Sequence, residues 1–268
     1  MKKLYIILAL VAISVAQAWA QTFTVNNVVY QVIDDNSVTV TGLTTNMYGA
    51  FTVPGYVSNG GKEYKVKSVT EYSIFTNDNV NSLTFESGVS EIQQYAIGYC
   101  PRLQTLVLPK SLRTLAASSL ARNTALESLA FPEGLERIES YTCMGNSSMT
   151  RVSISSTVAY IGKQVFKECP LTDVYCWATA APWINPNAID NFEGVTLHVL
   201  PGYGEVYKNA ESWSQCNIVE DCGIVPDGIA RAATSEKCAS GTFDLQGRSV
   251  RNAATRGLLI SGGQKVMK

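Results

Sequence analysis

The sequence predicts a mostly β fold: a solenoid of stacked 23-residue repeats, a β-rich N-terminal cap and a short C-terminal β tail. The first observation behind this is periodic. Leu83, Leu106, Leu129 and Val152 fall 23 residues apart, as do Ile92, Leu115, Ile138, Ile161 and Ile184. A third column runs Ile97, Leu120, Cys143, Phe166, Ile189. A fourth runs Leu103, Leu126, Met149, slips by one to Leu171 and returns at Val195, and Pro109, Pro132 and Pro201 share one further position. A unit of this length cannot bury its apolar face alone, so neighbours stack into one continuous core. The second observation is compositional. Charged residues make up only 16% of the chain, against about 25% in ordinary globular proteins, and Ser, Thr and Asn supply the polar surface instead.

The elements follow in order. In residues 1–20, Lys2 and Lys3 precede an apolar run from Leu4 to Val15, and Ala18-Trp19-Ala20 ends the segment. This reads as an export signal cleaved before Gln21, the apolar run being too short for a membrane span. Losing both lysines moves the formal charge from −1 to −3, which excludes a basic nucleic-acid footprint. Residues 21–67 alternate apolar and polar, with Asn26-Asn27 and Asp34 to Ser37 as turn material. They read as hairpins capping the first coil. Residues 68–220 form the solenoid. In each unit a strand such as Leu103 to Leu108 stops at Pro109, which cannot donate to a ladder. A short extended piece such as Leu112 to Leu115 follows, and Ala116 to Asn123 closes the coil. Parallel rungs are expected near residues 82–85, 105–108, 128–131 and 151–154, with helix confined to short turns and residues 202–210. Leu197 to Leu200 is the last strand and Asn217 to Val219 a closing one. Residues 221–240 read as a linker. Residues 241–268 read as two small hairpins with turns at Gln246-Gly247 and Gly262-Gly263.

Asn123 and Asn146 share a column with Cys100 and Cys169, a place for side chains that bond or pack against the turn backbone of the next coil. Seven cysteines with no C-x-x-C and a single histidine match no zinc pattern. Stacked coils advance by about 4.8 Å, so Cys100 and Cys169, three coils apart, stand roughly 14 Å from each other. That exceeds the ~7 Å reach of a disulfide. Cys100, Cys143 and Cys169 are therefore expected to be buried and not paired with one another, which leaves Cys222 and Cys238 as the pair to consider for a bridge.

The units Leu103 to Pro109 with Leu112 to Leu115, and Val158 through Ile161-Gly162 to Phe166 and Cys169, resemble the BspA-type leucine-rich repeat. Leu197 to Glu220, with Pro201-Gly202, Tyr207 and Trp213, is similar to that family's terminal unit. Phe243 to Arg248, Arg256-Gly257 and Gly263 to Val266 are similar to the C-terminal sorting domain read by the type IX secretion machinery. The resemblance implies a leucine-rich repeat solenoid that is exported through the periplasm and is secreted or held at the outer-membrane cell surface. It also implies a non-enzymatic adhesion role, with protein or glycan ligands on host or microbial surfaces and no cofactor. The alternative is a structural component of envelope assembly without an external ligand.

Catalytic readings are weak. Any nucleophile relay must pass through His198, the single histidine, which alternation points outward from the last strand. Thr76 to Asn79 and Ile33 to Asn36 lack calcium-loop spacing, and Gly202-Tyr203-Gly204 lacks the rest of a phosphate loop. The sequence therefore offers two candidate surfaces. One is the outward face of the parallel strands, read as columns Ser82, Thr105, Ser128, Arg151, Val174, then Thr84, Val107, Ala130, Ser153, Cys176, then Glu86, Pro109, Pro132, Ser155, Ala178. Its candidate binding residues are Thr105, Val107, Ser128, Ala130, Arg151 and Ser153. These columns are small and nearly uncharged, with no aromatic platform. The other surface is an aromatic concentration at Tyr175, Trp177, Trp183, Tyr203, Tyr207 and Trp213. It reads either as a recognition patch, with Trp177, Trp183, Tyr203 and Trp213 as its candidates, or as the apolar lid of the last coil.

Overall fold

The computed structural model describes residues 21–44 and 48–222, and the backbone of Leu258–Ser261 and Gln264–Met267. The export signal, the linker after Cys222, Cys238 and the tail turns lie outside the described residues. Two compact units divide the chain, residues 1–233 and 234–268. Within the second, Leu258–Ser261 and Gln264–Met267 form an antiparallel hairpin in which Leu258 faces Met267.

The first unit is a β-solenoid whose coils have three sides. The first side is a parallel ladder running through Gly49–Val53, Val80–Phe85 and Thr105–Val107. It resumes through Ser128–Ala130, Arg151–Ile154, Asp173–Cys176, Thr196–Val199 and Asn217–Val219. The second side carries Ser37–Leu43, Lys62–Val69, Glu91–Ile92 and Thr114–Leu115, then Arg137–Ile138, Tyr160–Ile161 and Trp183–Ile184, again parallel. The third side pairs Ile74–Phe75 with Ile97–Gly98. It continues through single bonds such as Leu120 N–H to the Thr142 carbonyl (2.9 Å), Cys143 to Val165 (3.0 Å) and Phe166 to Ala188 (2.8 Å). The four apolar columns point into the space between these sides: Leu83, Ile92, Ile97, Leu103 and their successors are all buried. Each short rung leaves about half its side chains inside, so the coils share one core.

The N-terminal hairpins form across Asn26-Asn27, both in the left-handed region, and across Asp35-Asn36. They are continuous with the coils. Ser37–Leu43 pairs in parallel with Lys62–Val69 on the second side, and Gly49–Val53 with Val80–Phe85 on the first. The ladders thus begin earlier than the 23-residue columns. At the other end a short helix, Gly204–Lys208, and a 3-10 turn, Trp213–Gln215, close the last coil. Tyr207 and Trp213 are buried there: the Tyr207 hydroxyl donates to the Ala178 carbonyl (2.7 Å) and the Trp213 indole N–H to that of Pro182 (2.8 Å).

One column holds the third side in register. The Asn123 side chain accepts the Cys100 N–H at 3.1 Å and donates to the carbonyls of Ile97 and Leu120. The Asn146 side chain in turn accepts the Asn123 N–H at 2.7 Å and donates to Leu120. In the same column the Cys169 thiol reaches the Cys143 carbonyl at 3.2 Å. Cys100, Cys143 and Cys169 are buried thiols. Removal from water pushes the Cys100 thiol up to about 11, the Cys169 thiol up to about 12 and Cys143 well above its usual value. These cysteines therefore behave as small core side chains rather than as nucleophiles.

Replacing Asn123 by alanine strands the Cys100 N–H and weakens two carbonyls in a dry core. Asn123→Ala should lower the unfolding free energy by about 2–4 kcal/mol, read as a lower urea midpoint at unchanged slope. A loss below about 0.5 kcal/mol would show that the column does not carry the turn.

Candidate binding surfaces

On the first side, alternation turns every second residue outward. In the early rungs these are Ser82 and Thr84, Thr105 and Val107, then Ser128 and Ala130, all exposed or half-buried. They make the neutral, shallow surface that the sequence columns describe. The register then changes. Ser128 pairs with Arg151, 23 residues on, but Arg151 pairs with Asp173, only 22 on. The next step, Asp173 to Thr196, is again 23, so the first side stays one residue ahead of the columns. The second side keeps 23 throughout, from Ile138 to Ile161 to Ile184. A shorter turn around Cys169-Pro170 thus enters the first side, and a longer one around Thr179 to Pro182 leaves it.

A slip of one residue exchanges the two faces of a strand, so the last members of the three outward columns are corrected; in the third column Pro109, Pro132 and Ser155 are buried as well. Val174, Cys176 and Ala178 are core residues, all at most 3% exposed. The outward places belong to Asp173, Tyr175 and Trp177. Tyr175 pairs with His198 in the ladder, and their rings stack at 4.3 Å and 9°. His198 Nδ1 lies 2.7 Å from an Asp221 carboxylate oxygen and Nε2 3.2 Å from one of Asp173. Burial works against ionisation of Asp173. Hydrogen bonds from Thr172 and His198 and the positive charge of Arg151 outweigh it, and its pKa falls below the ordinary carboxylate value. Trp177 folds back over Ser153, its indole N–H donating to the hydroxyl at 2.9 Å, and so buries Ser153. The face is therefore bland over its first half and aromatic and charged over its second, through Arg151, Asp173, Tyr175, Trp177 and His198. The sequence held a signal for this: an outward His198 implies an outward Tyr175, 23 residues earlier.

His198 is also more enclosed than an exposed strand position, its side chain being only 12% accessible between the two carboxylates. In a nucleophile relay one imidazole nitrogen faces the nucleophile and the other an orienting carboxylate. Here both nitrogens face carboxylates, so the arrangement clamps two coils and the closing strand together.

The aromatic concentration does not form one patch. Trp213 is 1% exposed and belongs to the lid. Tyr203 is half-buried against the core. Trp177 lies on the first side, while Trp183 lies on the second and is 52% exposed. Trp183 stacks on Tyr160 at 5.0 Å, and Arg137 sits over the other side of this pair, 3.8 Å from the Tyr160 ring centroid. Three separate roles thus share the label aromatic, because side chains close in sequence project from different sides of a coil. Among the described residues no group of His, Cys, Asp and Glu is arranged to hold a metal ion, and no helix is long and apolar enough to cross a membrane.

Removing the imidazole forfeits a stacked ring and two hydrogen bonds in a half-buried site. His198→Ala should cost about 1–2 kcal/mol, read from the urea midpoint. An unchanged midpoint would deny the clamp.

Residues 67–192 match the BspA type leucine-rich repeat region in six copies. Among solved structures, a leucine-rich repeat protein of T. pallidum is 18% identical, with a TM-score of 0.53 over 75% of this chain and 83% of that one. A leucine-rich repeat protein of Bacteroides capillosus is 19% identical, with a TM-score of 0.44 over 58% of this chain and 97% of that one. At such identities the first likeness speaks for the fold alone. No curated protein matches the chain.

Proposed function

With a leucine-rich repeat solenoid as the premise, we propose that this chain is an exported, non-enzymatic recognition protein of the cell surface or its surroundings. It binds a protein partner through the second half of its first side. The observation that carries the reading is the cluster of Arg151, Asp173, Tyr175, Trp177 and His198. Tyr, Trp and Arg are the side chains enriched at the centres of protein interfaces. Tyr175 is pinned by its stack on His198 and Trp177 by its hydrogen bond to Ser153, so these two rings have little conformational freedom left to lose on binding. The small, neutral surface of the earlier rungs, Thr105, Val107, Ser128 and Ala130, extends the contact area at low desolvation cost.

The full chain, presented to immobilised host-matrix proteins, microbial surface proteins and glycans, is expected to retain a protein partner. Trp177→Ala, Tyr175→Ala and Arg151→Glu should each weaken that complex by about tenfold or more, and Trp183→Ala on the second side should leave it unchanged. Retention unaffected by all three first-side variants, or lost with Trp183→Ala alone, would move the site elsewhere.

The secretion route forms a second part of the proposal. Residues 1–20 carry the chain across the inner membrane, and residues 241–268 serve as a type IX sorting address. Support comes from the charged and apolar pattern of the first segment and from the motif residues Asp244 to Arg248 and Arg256-Gly257. Deleting residues 241–268 should trap the protein in the periplasm with an unchanged melting temperature. Normal surface delivery with a lowered melting temperature would make the tail a structural appendage.

A further inference from the structure

The third side carries a feature that the 23-residue columns of apolar residues do not report. Two positions in each of five successive coils adopt left-handed backbone. One column is Tyr72, Tyr95, Ser118, Tyr141, Gln164, with φ between 54° and 64°. The other is Thr76, Tyr99, Arg122, Gly145, Glu168, with φ between 53° and 79°. They mark the two corners of the side, where the Tyr, Thr, Arg, Gln and Glu members are exposed or half-buried and Ser118 is buried between its neighbours. In the first column Tyr72 and Tyr95 stack at 5.4 Å and 14°, and Phe75 packs edge-on against both. The next member of the stack is Ser118, and the tyrosine column resumes at Tyr141. In the coil of Ser118 the neighbouring position is Ala121, where the following coil has Met144 and the two preceding coils have Gly98 and Phe75.

The result is a groove with a floor of Ser118 and Ala121. Tyr95 and Tyr99 stand on one side, Tyr141 and Met144 on the other, and Arg122 at the corner. Tyr95 and Tyr141 are two coils apart, about 10 Å at the spacing of stacked strands. A ring placed midway stands about 5 Å from each, the distance at which Tyr72 already stacks on Tyr95 and an ordinary one for ring pairs. The groove is the place of one missing ring. Among the described residues that line it, Arg122 alone carries charge. Its guanidinium lies 5.6 Å from the Tyr99 ring centroid and 3.9 Å from a carboxylate oxygen of Glu168. Both partners of that ion pair are exposed, so the contact is weak and Arg122 remains available to an anion.

We infer that this groove is a binding site for an acidic sugar, a hexuronate unit of a surface or matrix glycan. Its pyranose ring lies between Tyr95 and Tyr141 and its carboxylate on Arg122. Sugar C–H groups carry partial positive charge and meet the negative faces of the aromatic rings, the electrostatics that also attract cations to such faces. The hydroxyls of Ser118 and of the tyrosine rims supply hydrogen bonds to the sugar's own hydroxyls. The groove is open at the surface, which admits a residue within a polymer. This site is separate from the protein-binding face of the first side, and the two stand or fall independently.

Ligand-observed saturation-transfer NMR on the full chain, with methyl β-glucuronide and methyl β-glucoside as probes, tests the inference. The glucuronide should receive saturation on its ring protons and the glucoside much less. Ser118→Tyr, which restores the column in a backbone conformation that Tyr95 and Tyr141 already adopt, should abolish the signal. Arg122→Gln should weaken glucuronide binding by about tenfold and erase the preference over the glucoside. Both variants should keep the wild-type melting temperature and any complex made through Trp177, which separates failure here from failure of the first-side reading. Absence of glucuronide binding, an undiminished signal in Arg122→Gln, or stronger saturation of phenylacetate than of the glucuronide would overturn the sugar assignment.

Discussion

Each coil of the solenoid is held to a neighbouring coil by backbone hydrogen bonds, through the ladders of the first and second sides or, between the coils of Leu115 and Ile138, through the third side alone, and those bonds demand constant phase. A coil that lost its phase would leave N–H and C=O groups unpaired inside, at about 1–3 kcal/mol each. The short rungs, two to six residues along most of the array, have no stability of their own. They persist because each one templates the next and because the apolar columns close behind them. Asn123 and Asn146 carry the same pairing around the corner where no strand runs, each bonding its neighbour's backbone as a missing rung would.

Constant phase also sustains the left-handed corners. Nine of the ten corner positions between Tyr72 and Glu168 carry side chains that strain this backbone, by an amount of order 1 kcal/mol per residue. The N–H groups of Tyr99, Arg122 and Gly145 donate to the carbonyls of Ala121, Met144 and Lys167 in the following coil, and that bonding fixes the conformation against its local preference. The corners aim large side chains outward at regular height. A rigid comb of tyrosines follows, in which the loss of one tooth at Ser118 makes a groove.

The phase is kept by the second side more strictly than by the first. From Asp173 onward the first side runs one residue ahead, and the two turns around it absorb the difference. This small irregularity puts Tyr175, Trp177 and His198 on the outside and Val174 and Cys176 in the core. It makes the second half of the face chemically unlike the first, and it places His198 between Asp173 and Asp221.

The architecture was legible in the chain itself because a 23-residue repeat of Leu and Ile positions leaves stacking as the one way to bury them all. The buried cysteines, the Asn column, the closing strand at Asn217–Val219 and the helix at Gly204–Lys208 followed from the same phase and from turn chemistry. The surfaces were not legible to the same degree. Which face a residue occupies depends on register to the single residue, and the slip visible at Leu171 did not by itself show that the strand at Asp173 had moved with it. Apart from Gly145, the left-handed corners carry tyrosine, serine, threonine, arginine, glutamine and glutamate, none of which announces such a backbone, so the meeting of Tyr95, Arg122 and Tyr141 around Ser118 was decided by the tertiary structure. Local sequence sets what a coil must bury; hydrogen bonding to the neighbouring coils sets where its remaining side chains point.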